Sequence, residues 1–347
     1  MNVLIVKLSS LGGVVDAMPA VQDILSELPG TQVDWVVEPD FAPLVRRCAG
    51  VHRVIECDLR RWRETVFTAD TRTAWRAFSS DLQYECYDAV LDLQGLSKSA
   101  LVAKMARLSP QGLRYALANQ TEGASFEAPT RWVSDVAIPV EPRIHAIDRS
   151  RVMCARALVY AIPEKLSFGL APHIGQELRA TKSIANTFFD SGTLTSAPVV
   201  AMLHGSSRAD KHWPDEHWLE LGHRLNSLGY TVAFAHNNDE EQWRSESIAS
   251  RLGQALVWPR MGMNALTDAL GECLGAVGVD SGLSHIAVAL DLPHVQIYNF
   301  DTLWRTAPQN NDHQISVFAE PTPSVDAVWN AWMQASALAA LRGDSTH

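Results

Sequence analysis

The sequence predicts an α/β protein made of two doubly wound halves, each with a parallel sheet. Short apolar runs alternate with helical periodicity along the chain, and this alternation restarts after an irregular middle segment. Such alternation is typical of parallel strands joined by helices. The length of 347 residues suits two domains of this kind. Ligands of doubly wound domains usually bind at the carboxyl ends of the strands, here in the cleft between the halves.

The first half is predicted to contain four strands. They lie at residues 3–6, 32–37, 53–57 and 87–93, with helices at 14–28, 41–48, 71–82 and 143–157. Residues 117–142 contain several prolines and show weak periodicity, so this middle segment is predicted to be less regular than the rest. The domain junction is placed near residue 165, in a second stretch with proline and glycine, which makes residues 1–165 the N-terminal domain.

The pattern then restarts. Strands are predicted at residues 197–203, 230–235, 256–258, 276–279 and 294–298, with helices between them. Residues 215–228 have clear helix-end signals, because Pro214 lies near the first turn and Gly229 follows the last. The second domain is assigned residues 166–322, and the remaining residues, 323–347, contain a final helix at 325–341.

Composition excludes several classes of protein. A net charge of −10 disfavours sequence-independent binding of nucleic acid, which depends on many phosphate contacts. Five scattered cysteines without a CxxC pair predict neither a disulfide framework nor a zinc site, and they fit a reducing, cytoplasmic compartment. The N-terminus lacks the layout of a signal peptide, and no apolar run is long enough to span a membrane.

One segment of this acidic chain is basic. Five arginines lie between residues 60 and 76, against two acidic residues. Such a local cluster indicates one anionic ligand, and a solvated helix face is the alternative. The aromatic residues beside it, Trp62, Phe67 and Trp75, fit either ordinary packing or contact with a membrane surface.

Two loops in the second half have the chemistry of a phosphate site. One is VDSGLSH (residues 279–285) and the other HGSSRADKHWP (residues 204–214), and each follows a predicted strand. A small, hydroxyl-rich turn before a helix presents backbone N–H groups and positive dipole potential to an anion. Lys211 adds a point charge. A plain helix cap or a polar surface loop explains either segment alone, but two such loops in one domain favour a diphosphate site.

A third loop, SSLGG (residues 9–13), follows the first strand. Its glycines permit close backbone approach to a ligand. Its spacing matches neither the GxGxxG dinucleotide fingerprint nor the P-loop, so these two readings are excluded.

Taken together, the motifs resemble glycosyltransferase family 9, the ADP-heptose:lipopolysaccharide heptosyltransferases, and the first kind of heptosyltransferase more than the second. The matching segments are VLIVKLSSLG (3–12), VDWVVE (33–38), RRWR (60–63), YDAVLDLQGL (87–96), KHWP (211–214) and DSGLSH (280–285). They cover nearly the whole chain in the order of the family. The resemblance implies the GT-B fold, in which two Rossmann-like domains face each other across a cleft and the C-terminal helix packs back on the N-terminal domain.

The resemblance also implies a reaction. An inverting, metal-independent and cofactor-free transferase would move L-glycero-D-manno-heptose from ADP-heptose to the 3-deoxy-manno-octulosonic acid (Kdo) of lipid A, on the cytoplasmic face of the inner membrane, with no nucleic-acid partner. The residues implied at the donor are Ser9, Ser10, Gly12, Gly13, Ser206, Ser207, Lys211, Met261, Asp280, Ser281, Gly282 and His285, with Glu240 or Glu241 as the ribose-binding acid. The residues implied at the acceptor are Arg60, Arg61, Arg63, Gln94 and Lys98, and arginine forks suit its carboxylates and phosphates.

The general base that the resemblance implies is missing. The family has Asp after its Ser-Ser-x-Gly motif, and this chain has Gly13. Asp16 lies on the same face three residues later if the segment is helical, and is therefore the candidate base. Its alternative role is to cap the next helix, and Glu38 is a weaker substitute as base. Further on, residues 298–301 read YNFD where the family has YGPT, so donor preference stays open, and residues 303–305 also depart from the family.

Two other functions are compatible with these residues. A relative that has lost its base would bind the sugar nucleotide without turnover. A sugar-nucleotide 2-epimerase has the same domain shape, but it would leave the arginines at 60–63 without a purpose. Turnover of the donor in the presence of acceptor separates the transferase from the non-catalytic relative.

Overall fold

A computed structural model describes residues 1–65, 67–170, 197–309 and 311–344. The chain divides into two compact units, Met1–Ala171 and Pro172–His347, a boundary a few residues beyond the predicted junction. Each unit contains one six-stranded sheet in which every pairing is parallel. The predicted α/β class with two doubly wound halves is therefore confirmed.

The N-terminal unit has a sheet of order β3-β2-β1-β4-β5-β6. Its strands are β1 (Asn2–Val6), β2 (Gln32–Val37), β3 (Val51–Glu56), β4 (Tyr87–Asp92), β5 (Leu108–Leu117) and β6 (Val136–Ile138). Its helices are α1 (Leu11–Val15), α2 (Met18–Glu27), α3 (Ala42–Val45), α4 (Leu59–Glu64), α5 (Ala69–Leu82), α6 (Ser97–Met105), α7 (Thr130–Val133) and α8 (Ala146–Leu158). The strand order reverses between β1 and β4, and ligands bind at such switch points.

The C-terminal unit repeats this topology with the order β12-β11-β10-β7-β8-β9. Its strands are β7 (Val199–Leu203), β8 (Thr231–Phe234), β9 (Ala255–Val257), β10 (Gly275–Val279), β11 (His294–Tyr298) and β12 (Gln314–Phe318). Its helices are α9 (Asp215–Ser227), α10 (Asp239–Ala249), α11 (Met263–Gly271), α12 (Gly282–Ala289), α13 (Leu303–Thr306) and α14 (Val325–Asp344). The switch point lies between β7 and β10, and the two predicted phosphate loops follow these two strands.

The central strands β1 and β10 consist mostly of apolar residues and glycine, whereas β11 also buries His294 and Gln296. All five residues of β10 and all five of β11 are buried, as expected for parallel strands covered on both faces. The core of the C-terminal unit includes the fully buried indoles of Trp213, Trp218 and Trp332. Burial of these large side chains fixes α9 and α14 on the sheet.

Periodicity missed β5, β6 and β12. The β4–β5 register shifts between Tyr87 and Ala89, and a Cβ at Gly112 would lie 2.3 Å from the Tyr87 carbonyl oxygen. A strand interrupted in this way loses its alternation of apolar and polar residues. The other two are edge strands of three and five residues, and most of their side chains are partly exposed.

The last helix packs within its own unit. Helix α14 contacts β11, β12 and α9 and buries Val328, Ala331, Trp332 and Ala335, which share one helical face. Its predicted packing on the N-terminal domain stays a prediction. Within the described ranges, no helix combines the length and the apolar character that crossing a membrane requires.

Candidate active site

Lys211 joins the two loops at the switch point of the C-terminal sheet. It ends a short 3-10 helix (Ala209–Lys211) in the loop after β7, whereas Asp280 directly follows β10. The Lys211 ammonium lies 2.6 Å from Asp280 Oδ2 and 3.3 Å from the Asp280 carbonyl oxygen. An ammonium has three donors, so these two contacts leave a third N–H for an anion.

Asp280 is an ionised carboxylate at this junction. His285 Nε2 lies 3.8 Å from its Oδ1, and Gln296 donates to the same oxygen at 3.4 Å. Burial alone would raise the pKa of Asp280, but His285 and Lys211 hold that pKa well below its usual range. The carboxylate thus orients both side chains at the start of α12.

Ser281 contributes an unsatisfied donor at the same place. It is the N-cap residue of α12, but its side chain makes no capping hydrogen bond. Its Oγ is buried and has no hydrogen-bond partner among the described residues. A buried hydroxyl is costly to leave unpaired, and a helix N-terminus attracts anions. A phosphate oxygen would accept a hydrogen bond from the Ser281 hydroxyl and would also be attracted to the N-terminus of α12.

The structure separates the two acidic candidates. Glu241 turns back and accepts a hydrogen bond from the Asn237 N–H at 2.8 Å. A Cβ on Gly205 would lie 2.9 Å from the Glu241 carboxylate, so the Glu241 side chain reaches the loop after β7 at this glycine. Glu240 is exposed on the first turn of α10. The geometry therefore favours Glu241 over Glu240 as the acid at this site.

The remaining donor candidates of this unit lie around the same edge. Ser206 is half-buried, and its carbonyl oxygen accepts a hydrogen bond from His212 at 3.1 Å. Ser207 is exposed. Met261 is half-buried in the segment before α11, and Gly282 is the first residue of α12.

The divergent loop at residues 298–301 has a structural role that the sequence did not predict. The Asn299 amide donates to the carbonyl oxygens of Asp210 and His212, both at 3.0 Å. The Arg208 guanidinium lies over the ring of Phe300, and its Cζ is 5.8 Å from the ring centroid. This loop therefore braces the segment that carries Lys211.

A second group of candidates meets at the switch point of the N-terminal sheet. The side-chain oxygen of Gln94 accepts from the N–H groups of Leu8 and Ser9 at 3.2 and 3.3 Å. The Lys98 ammonium donates to Ser9 Oγ at 3.2 Å and to Glu38 at 2.8 Å. The loop SSLGG, Gln94, Lys98 and Glu38 thus form one polar cluster, with Ser10 as N-cap of α1.

Gly13 makes room for the side chain of Lys7. A Cβ at residue 13 would lie 3.2 Å from both Cε and Nζ of Lys7, and 3.9 Å from Ser10 Oγ. Lys7 is only 4% exposed, and its ammonium donates to the Leu93 carbonyl oxygen at 3.4 Å. The end of the Lys7 side chain therefore covers the point from which a side chain at residue 13 would project.

Asp16 shares this site with Lys7. It lies at the C-terminal end of α1, where its N–H donates to the Gly12 carbonyl oxygen at 2.8 Å, and it is 5% exposed. Its charge acts on the pKa of Lys7, so the two side chains are electrostatic neighbours. Ala17 is the N-cap residue of α2, so Asp16 lies one residue before the cap of that helix.

Burial governs the protonation of two side chains in this unit. It lowers the pKa of Lys7 to about 7, with help from Arg149 and Lys98 and against Asp16 and Asp92. Burial also raises the pKa of Asp92 to about 6, against hydrogen bonds from Ser99, Gly95 and Gln94. Lys7 was not singled out from the sequence, although a lysine directly after four buried strand residues is an available signal.

The shift at Lys7 predicts a pH-dependent stability. The pKa is about 7 in the folded chain and 10.5 in the reference state, so between these values the unfolded chain binds more protons. The free energy of unfolding should therefore rise by about 2 kcal/mol between roughly pH 7 and pH 9. Urea titrations across this range should show the rise in the parent and lose it in Lys7→Met. Parallel pH profiles for the two proteins would contradict the assignment.

The arginine candidates lie on α4, which follows β3. Arg60, Arg61 and Arg63 are exposed, and within the described part of the chain no ion pair engages their guanidinium groups. Asp58 accepts from the Arg61 backbone N–H and caps the helix. These three side chains are thus available to an anionic ligand.

Comparison with known proteins places this arrangement in a family. Residues 75–328 match the model of glycosyltransferase family 9 (heptosyltransferase). Lipopolysaccharide heptosyltransferase 1 of Escherichia coli (strain K12) is 33% identical over 299 residues, which is 86% of this chain and 88% of that protein. The enzyme of the same name from Pseudomonas aeruginosa is 34% identical over 300 residues, or 86% of this chain and 78% of that protein.

A solved structure agrees. The E. coli heptosyltransferase WaaC with ADP matches with a TM-score of 0.81 and 29% identity, over 96% of this chain and all of that chain. The fold, the order of the motifs and the family model all agree. This chain belongs to glycosyltransferase family 9, the heptosyltransferases.

Proposed function

We propose that this enzyme transfers L-glycero-D-manno-heptose from ADP-heptose to the Kdo of the lipopolysaccharide inner core. The observation that carries the proposal is the site at the start of α12. There Lys211 bridges two loops through Asp280, beside the buried and unpaired hydroxyl of Ser281. Its fit to a diphosphate in a family 9 transferase supports ADP-heptose as the donor.

The donor is held through its diphosphate. Contacts come from the side chains and backbone N–H groups of Ser206, Ser207, Lys211, Ser281, Gly282 and His285, while Glu241 binds the ribose and Met261 lies beside the adenine. Negative charge grows on the leaving ADP as the glycosidic bond breaks. The Lys211 ammonium and the N-terminus of α12 stabilise that charge in a preorganised, partly buried site.

Asp16 takes the proton of the attacking hydroxyl. Inverting transfer requires a base at the acceptor oxygen as the new bond forms. The carboxylate lies on the same turn as Gly13, and the Lys7 cation is beside it. In this chain Asp16 therefore replaces the acid that the family has at residue 13. Ser9, Ser10 and Gly12 belong to the preceding loop, SSLGG.

The acceptor is bound through its anionic groups. Arg60, Arg61 and Arg63 contact the carboxylates and phosphates of Kdo-lipid A, with Gln94 and Lys98 beside the N-terminal loop. Arginines that form no ion pair with the described residues of an acidic protein suit such a ligand. Because the acceptor is a membrane lipid, the reaction takes place on the cytoplasmic face of the inner membrane.

Release of ADP tests the proposal. The enzyme should release ADP from ADP-heptose only when Kdo-lipid A is present, and mass spectrometry of the acceptor should show the added heptose. Binding of ADP without any release in the presence of both substrates would instead identify a non-catalytic relative.

Arg61→Lys should impair use of the acceptor. The lysine keeps the charge but loses the planar fork that binds a carboxylate or phosphate through two hydrogen bonds. We expect kcat/KM for Kdo-lipid A to fall about tenfold, which corresponds to about 1.4 kcal/mol. Calorimetry should give an unchanged ADP affinity, and Arg46→Lys, at an exposed arginine paired with Glu56, is the matched control. An equal loss of ADP affinity would contradict an acceptor role.

A further inference from the structure

One exposed face of the N-terminal unit is both basic and aromatic. It consists of Phe67 together with Arg72 and Arg76 on the solvent side of α5, and we call it the α5 face. Phe67 is 93% exposed, the highest value among the exposed large apolar side chains of the described residues. An isolated exposed apolar residue needs no explanation, but Phe67 lies in the same short segment, residues 60–76, as five arginines.

The other aromatic residues of this region lie inside. Trp62, Trp75 and Phe78 pack together, with ring centroids 5.3 to 5.9 Å apart. They also pack against the core of the N-terminal unit. Packing is therefore the role of both tryptophans. Their cluster holds α4 and α5 together as a rigid support, and Phe67 projects outside it.

The exposed arginines of this region differ from several others, because they lack an acidic partner among the described residues. Arg46, for example, pairs with Glu56, and Arg156 pairs with Glu141. In the described part of the chain, no ion pair involves the side chain of Arg72 or Arg76. Of the acids on α5, Asp81 is bonded to Arg53, and Asp70 lies in the first turn.

This local positive charge contrasts with the protein as a whole, whose net charge is −10. Residues four apart on a helix lie on the same face, so Arg72 and Arg76 project together. An aromatic ring beside clustered arginines is the combination that binds anionic bilayers, since the ring enters the headgroup layer and the guanidinium groups contact phosphates.

We propose that the α5 face docks this enzyme on an anionic lipid surface. Phe67 enters the headgroup region, and Arg72 and Arg76 contact lipid phosphates. The proposal rests on the proposed function in one respect, which is that the acceptor is a membrane lipid. The contact is separate from acceptor binding, because it uses none of the arginines assigned to the acceptor.

Vesicle flotation tests the docking directly. The full chain, without substrates, should float with vesicles of phosphatidylcholine and phosphatidylglycerol and not with phosphatidylcholine alone, and added salt should weaken the binding. The triple variant Phe67→Ser, Arg72→Ser, Arg76→Ser should lose at least about 25-fold in the partition coefficient, roughly fivefold for each arginine. Matched controls are Trp132→Ser, at an 82% exposed aromatic residue of the same unit, and Arg156→Ser.

Two results would overturn the proposal. One is equal binding of the parent and the triple variant to anionic vesicles, and the other is equal binding of the parent to neutral and anionic vesicles. Assays of heptosyl transfer distinguish failure of the docking proposal from failure of the proposed function. The triple variant should match the parent on Kdo-lipid A in detergent micelles and fall behind it on Kdo-lipid A in vesicles. A parent that is inactive in micelles contradicts the proposed function, while flotation still decides the docking.

Discussion

Asp16→Asn is expected to abolish heptosyl transfer while leaving ADP binding intact. The amide has nearly the shape of the carboxylate but cannot accept the proton of the acceptor hydroxyl. Loss of a general base lowers turnover by a factor on the order of 10²–10⁴. The change should appear in kcat, measured by ADP release with both substrates saturating. Calorimetry with ADP should match the parent, because the residues proposed to contact the diphosphate lie in the C-terminal unit.

A second substitution distinguishes loss of the base from general damage. Gly13→Asp, made in the Asp16→Asn background, returns a carboxylate to the position where the family has one. Its Cβ would meet only the flexible end of Lys7 at 3.2 Å, so a small shift of the ammonium accommodates it. We expect turnover to recover roughly tenfold or more. An Asp16→Asn enzyme with the kcat of the parent would eliminate Asp16 as the base.

Lys211→Ala is expected to weaken donor binding strongly. The substitution removes the third ammonium N–H offered to the diphosphate, and it also leaves the buried Asp280 carboxylate without its 2.6 Å partner. A charged hydrogen bond contributes about 1.5–3 kcal/mol, so the Kd for ADP should increase roughly 10- to 150-fold. Isothermal titration with ADP measures this, and KM for ADP-heptose should increase in parallel.

The same loop contains a matched control. Arg208→Ala removes a cation three residues away whose charge is already paired with Asp210 on the surface. It should change ADP affinity by less than about twofold, since exposed ion pairs contribute little. If both variants lose ADP affinity equally, the charge of the loop matters and not the Lys211 contact. Unchanged affinity in Lys211→Ala would remove this residue from the donor site.

Local sequence signals were sufficient for most of the fold. Central strands such as β1 and β10 consist almost entirely of apolar residues and glycine, because both faces of a parallel sheet are buried. Helix α9 had its end signals in Pro214 and Gly229. By contrast, the bulged strand β5 and the edge strand β12 had no such signal. They are strands because they pair with β4 and β11, and not because of an alternating apolar pattern.

The candidate site divides in the same way. By itself, the sequence determined the family and predicted the two loops proposed to bind phosphate, because small and hydroxyl residues between a strand and a helix are a local signal of an anion site. Only the tertiary structure decided that Glu241 and not Glu240 reaches the loop after β7, and that Lys7 covers Gly13. The Lys211–Asp280 contact joins residues 69 positions apart. Such contacts depend on which strands become neighbours at the switch points, and no local pattern of residues contains that information.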